Sequence, residues 1–514
     1  MGAPLGAFLG LVLAATALAV PGQPAGSVHQ VSGKNGCYTS DGSSEAGSGT
    51  CHNIRGGDGA TTTAISPDGH FAYLVGYGNG STVPPVLSLF KRNTKTGALR
   101  QLAGKSGCFS RDGSSEDGPN TCATARDLDT GDATSIAISK DGRFLYVASQ
   151  YQPDDHPVGG VAIFARNLKN GALHQLKGKA GCISRDGSSQ NGPGTCTRAR
   201  EVEFVSNVHI TPDQKFLYAS DYGDYPHSGI AIFRRNVKNG ELHQLKGQNG
   251  CISGNGTSFS SGTKKVCRTM ANVSDPWDVA TPDNRFVYIP AATTNTTSGV
   301  ALVQAFQRNA QGGLVPLKGK GKCVSDDGKS HAGACIDGRG LFRPERAVLS
   351  KNKRFLYINS YGYSNPSSPS PVAVLNRDPK TGLLSQRSGK AACISADGTS
   401  GVNSKPCRNG RALDGGYAGA LSPDGRTLYF GEFSSNALVI FRVSPKTGAF
   451  KQLSGKPGCV TSDGSSEDGL DTCATGRAIG GAYQVALAAA GRDVYVASGG
   501  FTNANGVALF HAAP

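Results

Sequence analysis

Four side chains in the middle of the chain could together hydrolyse an ester or a lactone: His209, Asp278, Glu345 and Arg346. A carboxylate or an imidazole can activate a water molecule, and a guanidinium can stabilise the oxyanion that forms when water attacks a carbonyl carbon. The alternative interpretation is structural, with Glu345 pairing with Arg346 or Arg343 and His209 packing between strands. The sequence contains no GxSxG motif and no histidine cluster of the metal-binding type.

These residues fall in corresponding segments of a repeated unit, at the start of its first strand. Seven residues before the aspartate of the following turn, or its equivalent, stand Thr61, Thr134, Ser206, Pro276, Glu345, Tyr417 and Tyr483. One position later stand Thr62, Ser135, Asn207, Trp277, Arg346, Ala418 and Gln484. A ligand that binds at one place needs side chains that differ from those at the same position of the other repeats. The sequence therefore predicts ligand contacts from Asn207, Trp277, Tyr417 and Tyr483. Tyrosines in the variable connections could stack on sugar rings: Tyr77, Tyr151, Tyr222, Tyr225, Tyr361 and Tyr363.

The repeat itself is most visible in the cysteines, of which there are 14. They fall in local pairs with a period of about 70 residues, and such a period indicates a repeat architecture. We expect each cysteine to bond its neighbour in the same loop, which we call the stapled loop, and an even number of cysteines fits an oxidising compartment. The expected pairs are Cys37–Cys51, Cys108–Cys122, Cys182–Cys196, Cys251–Cys267, Cys323–Cys335, Cys393–Cys407 and Cys459–Cys473.

Between the stapled loops, each repeat predicts four short antiparallel strands. In residues 133–178 the runs "ATSIAIS", "FLYVAS", "GVAIFAR" and "ALHQLKG" are separated by Asp-Gly or Asn-Gly turns or by a variable connection. Sheets of this size bury both faces only by stacking on one another, so the sequence predicts an all-β, seven-bladed β-propeller of four-stranded blades. The segment "SVHQVSG" would pair with the last strand, "GVALFHA", and close the ring as a single domain over residues 28–514.

The strand and turn motifs resemble a known family. "SPDGRTLYF", "SKDGRFLYVAS" and the "GVAIFARNLKNGAL" segment are similar to the lactonase family of seven-bladed propellers, which includes 6-phosphogluconolactonase-type and carboxymuconate-cyclizing enzymes and is related to YVTN repeats. The resemblance covers nearly all of the chain after residue 27. It implies a propeller fold and hydrolysis of a sugar or acyl lactone. The stapled loop is an addition to the family pattern in every repeat.

The stapled loops carry oxygen-rich and basic residues. "DGSSED" predicts an Asx turn around Asp112 or Ser43, with calcium binding as the alternative and no other cofactor expected. An arginine follows six of the seven loops at the same spacing, and we expect Arg126 to pair with Asp112 of its own loop. Lysines precede the loops, and a ring of such charges would attract acidic polymers. The lysines proposed to bind ligand are Lys105, Lys179, Lys390 and Lys456.

The N-terminus and the overall charge complete the sequence-based interpretation. Residues 1–19 form an apolar run that ends in Ala17-Leu18-Ala19, which is typical of a signal peptide, and residues 20–27 form a short polar linker. No segment is long enough to span a membrane. The formal net charge of +15 favours carbohydrate or anionic cell-surface polymers as partners, and we expect no nucleic acid. We therefore expect a secreted, monomeric binding or scaffold propeller, with a lactonase-like hydrolase as the alternative.

Overall fold

The computed structural model describes residues 23–78, 83–128, 135–150, 159–223, 228–258, 264–270, 275–292, 301–328, 334–362, 370–400, 405–488, 490–500 and 505–514. Within these ranges the chain is all-β, with short 3-10 turns and no α-helix. None of the described residues belongs to a helix that is long and apolar enough to cross a membrane. The expected signal peptide at 1–19 and the first residues of the linker lie outside the described residues.

Each repeat contributes the predicted run of strands, numbered here by its order along the chain. First strands span Ala60–Ile65, Ile136–Ile138, Val205–Ile210, Pro344–Leu349, Gly416–Leu421 and Ala482–Leu487. Second strands span Phe71–Gly76, Phe144–Ser149, Phe216–Asp221, Phe286–Ala292, Phe355–Ser360, Thr427–Glu432 and Asp493–Ser498. Third strands span Val86–Arg92, Gly160–Arg166, Gly229–Arg235, Ala301–Arg308, Val372–Arg377, Ala437–Val443 and Gly506–Ala512. In repeat 4 the first strand is replaced by isolated pairs, Pro276↔Ala291 and Ala280↔Tyr288.

The outer strand differs from the single fourth strand that the sequence predicts. It is split into two pieces by a 3-10 turn, and both pieces pair with the third strand. The first pieces span Val28–Gln30, Leu99–Gln101, Leu173–Gln175, Leu242–Gln244, Leu314–Pro316, Leu384–Ser385 and Phe450–Gln452. The turns span Gly33–Gly36, Lys105–Gly107, Gly178–Gly181, Gly247–Asn249, Lys320–Lys322, Lys390–Ala392 and Lys456–Gly458. The second pieces span Cys37–Thr39, Cys108–Ser110, Cys182–Ser184, Cys251–Ser253, Cys323–Ser325, Cys393–Ser395 and Cys459–Thr461.

A further strand of two residues, which the sequence did not predict, lies parallel to each second piece. These strands span His52–Asn53, Ala123–Thr124, Thr197–Arg198, Arg268–Thr269, Ile336–Asp337, Arg408–Asn409 and Ala474–Thr475. Each follows directly on the second cysteine of its stapled loop, and it covers the edge of the sheet that would otherwise be unpaired. The four-strand prediction therefore failed at the outer edge, where the stapled loop folds back on its own blade.

The strands assemble into six sheets, because two repeats are joined into one twelve-stranded sheet by the single pair Ala418↔Gln484. The segments nearest the two ends of the chain share a sheet. Val28–Gln30 pairs antiparallel with Gly506–Ala512, and Cys37–Thr39 pairs with the same strand further along. The last repeat therefore takes its outer strand from the start of the described chain.

The hydrophobic core lies between the faces of neighbouring sheets. Ile163 of repeat 2 packs in one cluster with Leu217 of repeat 3, and Tyr495 of repeat 7 packs with Leu74 of repeat 1. Second and third strands are buried over nearly their whole length, which explains why their sequences are apolar at consecutive positions instead of alternating. Burial of both sheet faces fixes the positions of the loops at the ends of the strands.

A buried tyrosine on every second strand ties each repeat to the next one. Its hydroxyl donates to a turn glycine, as Tyr73 does to the carbonyl of Gly171 at 2.9 Å. Gly171 has a φ of +75°, and a Cβ there would meet the Phe71 ring at 2.2 Å, so only glycine fits this turn. The pairs are Tyr73–Gly171, Tyr146–Gly240, Tyr218–Gly312, Tyr288–Gly382, Tyr357–Gly448, Tyr429–Gly26 and Tyr495–Gly97. Arginine–aspartate pairs reinforce several of these contacts: Arg92–Asp493, Arg166–Asp68, Arg308–Asp213 and Arg377–Asp283.

Candidate functional site

The stapled loops have the disulfide pairing that the sequence predicts, in all seven cases. They lie at one end of the blades. Cys108, for example, pairs opposite Ser88, close to the start of the third strand. The connection from the second strand to the third strand ends at the same place, so the stapled loops and the variable connections share one face of the molecule.

The arginine that follows each stapled loop binds the next repeat. Arg126 donates from its backbone N–H to the Gln175 side chain at 2.9 Å, and Gln175 donates back to the Arg126 carbonyl at 2.7 Å. The guanidinium donates to the carbonyls of Thr195 and Leu176, at 3.0 and 3.1 Å. The predicted pairing of Arg126 with Asp112 is therefore wrong, because the guanidinium extends away from its own loop. We call this arginine–glutamine arrangement the clasp.

The clasp recurs around the molecule, and a glutamate of the stapled loop often extends it. Glu116 accepts hydrogen bonds from the backbone N–H groups of Gly56 and Gly57, at 2.7 and 3.1 Å. Glu45 accepts likewise from the backbone N–H of Ala478 at 2.8 Å. The clasps are Arg55–Gln101, Arg126–Gln175, Arg200–Gln244, Arg339–Gln386, Arg411–Gln452 and Arg477–Gln30. The arginine and the glutamine therefore recur in the sequence because they join neighbouring repeats.

The acidic residues within the stapled loops are engaged in local turns. Asp112 accepts from the backbone N–H of Ser114 at 2.9 Å, and Asp463 accepts from that of Ser465 at the same distance. These are the predicted Asx turns. Among the residues that the structure describes, no group of three or more histidine, cysteine or acidic side chains could hold a metal ion. Calcium binding stays a prediction.

The four lysines predicted to bind ligand are exposed and lie in the 3-10 turns that divide the outer strands. Lys456 contacts Asp471 of its own stapled loop, and that contact is an exposed ion pair of small energy. Lys105, Lys179 and Lys390 carry their charges into solvent. These lysines are therefore placed where they could attract an acidic partner.

The first-strand residues singled out in repeats 3 to 5 come together. Asp278 accepts from the Asn207 side chain at 3.1 Å and from the backbone N–H of Ala347 at 2.9 Å. Arg346 donates to the carbonyl of Trp277. Asp278 thus connects three neighbouring repeats, and both its oxygens already accept hydrogen bonds.

His209 lies further along the first strand of repeat 3 and is half-buried. Its Nε2 lies 2.5 Å from the hydroxyl of Thr281. Burial lowers the pKa of His209, and the nearby Asp278 charge opposes that shift only in part. The imidazole is therefore neutral at neutral pH and joins two repeats through Thr281.

Glu345 is the most unusual carboxyl group of this region. Its side chain is 2% exposed, and its Oε2 has no hydrogen-bond partner among the described residues. Arg343 Nη2 lies 4.0 Å from Oε1, as the structural interpretation of the sequence expected. Burial raises the pKa of Glu345 to about 7, although Arg343 and Arg346 favour the ionised form. The carboxyl group can therefore hold or release a proton near neutral pH.

Half-buried aromatic rings cluster where first strands begin and second strands end. Tyr222 stacks on Trp277, with ring centroids 4.4 Å apart and planes 14° apart. Tyr417 contacts Tyr483 at 4.6 Å between centroids. We call the set the aromatic collar, and it consists of Tyr77, Phe204, Tyr222, Trp277, Tyr361, Tyr417, Phe433 and Tyr483. The collar presents partly exposed ring surfaces on the same end of the blades as the stapled loops.

Two collar residues escaped the sequence-based analysis, Phe204 and Phe433. Phe433 contacts both Tyr417 and Tyr483, at 6.0 and 4.9 Å between centroids. It is the first residue after a second strand, the position that Tyr361 occupies in the preceding repeat. Alignment of second-strand ends would have found it. Tyr151, Tyr225 and Tyr363, also predicted to stack on sugars, lie outside the described residues.

Comparison with known proteins found similar solved structures but no matching sequence family. No protein-family model and no curated protein matches the chain. Among solved structures, it is similar to the periplasmic gluconolactonase PpgL of Pseudomonas aeruginosa, at 16% identity and a TM-score of 0.48 over 88% of this chain and 96% of that one. A putative 6-phosphogluconolactonase of Bacteroides fragilis is similar at 16% identity and a TM-score of 0.46, over 86% and 88% of the two chains.

A third solved structure belongs to a differently named protein. The hydrazine synthase of Kuenenia stuttgartiensis matches at 14% identity and a TM-score of 0.48, over 88% of this chain and 96% of that one. Lactonase-type structures are thus among the structural neighbours, as the strand and turn motifs implied. One fold carries many activities, so the function has to be argued from the site.

Proposed function

We propose that the chain is a secreted, closed seven-bladed propeller that binds a carbohydrate at its aromatic collar. The tyrosine–glycine contact supports ring closure, because it recurs from each repeat to the next and includes Tyr495–Gly97 between repeats 7 and 1. Seven disulfides indicate an oxidising compartment, which supports export. We expect a monomer, since the outer edge of each blade is short and is covered by the two-residue strand that follows the stapled loop.

The collar is the observation on which the binding proposal depends. Ligand sites combine apolar and aromatic walls with a few polar groups. The Tyr222–Trp277 stack presents a flat ring surface, and the Asn207 side chain donates to Asp278, the residue that follows Trp277. The exposed lysines outside the collar would add long-range attraction for an acidic sugar polymer, through their summed field instead of single contacts.

Trp277 is the only tryptophan of the chain, so its fluorescence reports on the collar directly. Titration with neutral and uronic-acid oligosaccharides should shift its emission in a saturable manner. Tyr417→Ala together with Tyr483→Ala should abolish the shift, whereas Leu470→Ala, an exposed residue of a stapled loop, should leave it unchanged. If the double variant binds every sugar as the unchanged protein does, the collar is not the site.

The lysine contribution is tested separately. Reversal of Lys105, Lys179, Lys390 and Lys456 to glutamate should remove salt-sensitive retention on acidic glycans and leave binding of neutral oligosaccharides intact. Exposed charges add little individual energy, so the effect should disappear at high salt. Retention that is independent of these lysines at low salt would refute a basic binding face.

A second candidate function, lactone hydrolysis, is favoured by Glu345. A carboxyl group with a pKa of about 7 is suited to general base catalysis at neutral pH, and two arginines lie next to it. Activity on a panel of sugar and acyl lactones should then rise with pH through about 7, because the base must be ionised. Glu345→Gln should abolish turnover in a folded protein. Absence of turnover with every lactone would reject this candidate and leave the collar proposal standing.

A further inference from the structure

A cavity of about 540 Å³ lies between two neighbouring stapled loops, Cys393–Cys407 and Cys459–Cys473. It is separate from the collar. Its walls combine small apolar side chains with acidic ones, among them Ala396, Ala412, Leu413, Asp414, Ser435 and Glu467. An acidic cavity is unusual in a protein with a net charge of +15, so its origin is informative.

In repeat 3, two residues that correspond to lining residues of the cavity form an ion pair. Arg185, three residues after the first cysteine of its loop, forms an ion pair with Glu203, seven residues after the second cysteine. At the same two positions of the cavity loop stand Ala396 and Asp414. The cavity therefore has an acidic residue at the second position but no arginine at the first.

At a second position, too, the cavity has a shorter side chain than repeat 3. Glu201 of repeat 3 is buried, and its counterpart in the cavity is Ala412. Because the cavity has two alanines where repeat 3 has Arg185 and Glu201, it has room for a group the size of an arginine side chain. The Asp414 carboxyl group accepts a hydrogen bond from the Ser370 hydroxyl at 3.2 Å, and it also interacts with the backbone N–H of Gly415.

A buried carboxyl group near the cavity is incompletely hydrogen-bonded. Glu432 is fully buried, and its Oε2 has no hydrogen-bond partner among the described residues. Its Oε1 accepts from Asn359 at 3.1 Å. Asp414 and Glu467, which both line the cavity, act electrostatically on Glu432 and help to raise its pKa above the usual range, after burial. A cation in the cavity would relieve this repulsion.

We propose that the cavity binds a small organic cation, with a guanidinium or ammonium group at Asp414 and an apolar stem against Ala396, Ala412 and Leu413. The cation replaces the guanidinium that Arg185 supplies in repeat 3. Guanidinium groups suit this place because they form paired, charge-assisted hydrogen bonds with carboxylates. The apolar wall selects an alkyl-substituted cation over a bare metal ion.

Ethylguanidinium is the probe, and ethylurea, which has a similar shape but no charge, is its control. Calorimetric titration at millimolar concentration should show saturable binding of ethylguanidinium alone. Asp414→Asn should weaken binding about tenfold or more. Ala396→Arg should abolish binding, because the introduced guanidinium occupies the cavity as Arg185 does in its own repeat.

Asp471→Asn is the matched control, since Asp471 is an exposed acid of Cys459–Cys473, one of the two stapled loops beside the cavity. It should bind ethylguanidinium as the unchanged protein does. Thermal melting establishes that each variant is folded, and Ala396→Arg tests the proposal even if Asp414→Asn unfolds. Equal binding of ethylurea, undiminished binding by folded Ala396→Arg, or no binding by the unchanged protein would each overturn the proposal. None of these outcomes bears on sugar binding at the collar.

Discussion

Replacement of Asp493 by asparagine tests how the last repeat is attached to the first. Asp493 forms an ion pair with Arg92, and the two side chains are 1% and 5% exposed. Arg92 also donates to the Tyr495 hydroxyl and to the Gly69 carbonyl, both at 2.7 Å, so it cannot move to solvent without losing those bonds. The substitution therefore leaves a guanidinium buried without its counter-charge.

The expected loss of stability follows from the burial of the ion pair. Removal of one partner of a buried ion pair costs about 3–5 kcal/mol. The equivalent pair in the next interface, Arg166–Asp68, has an aspartate that is 33% exposed, so water can compensate the arginine. Asp68→Asn should then cost about 1–2 kcal/mol, between the values for exposed and buried pairs. In both pairs the arginine ends a third strand and the acid belongs to the preceding repeat, but Asp493 begins a second strand whereas Asp68 lies in the turn before one.

Urea denaturation at neutral pH, followed by Trp277 fluorescence, measures both free energies of unfolding. Thermal unfolding provides a second measurement. For a chain of this length the unfolding entropy is roughly 1 kcal/mol/K, so the midpoint temperature of thermal unfolding should fall by about 3–5 °C for Asp493→Asn and by about 1–2 °C for Asp68→Asn. Replacement of Arg92 and Asp493 together by Met and Leu should recover most of the loss, since no unpaired charge remains. If Asp493→Asn is no more destabilising than Asp68→Asn, the interface between repeats 7 and 1 is not held as described.

Three further predictions concern the stapled loops and the first strands. Cys108→Ser with Cys122→Ser should lower the free energy of unfolding by about 3 kcal/mol, measured by urea denaturation, because the disulfide closes a short loop in the unfolded chain; an unchanged midpoint would contradict this. Arg126→Ala should cost about 1–3 kcal/mol in the same assay, since it leaves buried carbonyls without donors, whereas Lys105→Ala should change stability by less than about 0.5 kcal/mol. Burial raises the pKa of Glu345 to about 7 in the folded state, so ionisation favours the unfolded chain, and stability should fall as pH rises from about 4.5 to about 7. The melting temperature measured across this pH range should therefore fall less for Glu345→Gln than for the unchanged protein. An identical pH profile would refute the raised pKa of Glu345.

Much of the architecture was accessible from the sequence because its determinants are local. Strand alternation, Asp-Gly turns and the spacing of cysteines such as Cys108 and Cys122 operate over fewer than 20 residues, and the structure has the strands and disulfides they predict. The outer strand was harder to predict. Its division by the turn at Lys105–Gly107 depends on how the stapled loop folds back on the third strand, and no local propensity specifies that.

The functional regions depended on contacts between repeats, which the chain order does not encode. Arg126 has acidic residues close by in sequence, yet its partners Gln175 and Thr195 lie 49 and 69 residues further on. At the cavity beside Asp414, two alanines stand where repeat 3 has Arg185 and Glu201, and a sequence lists such differences without showing which of them open a space.

The sequence by itself determined a repeated all-β unit, its turns and its disulfide partners, because each of these follows from residues close together in the chain. Only the tertiary structure decided which repeat each arginine joins, how far Glu345 is desolvated, and which aromatic rings meet in the collar. The physical reason is that hydrogen bonding between blades, burial and cavity formation depend on how sheets stack face to face, and stacking brings together residues about 70 positions apart.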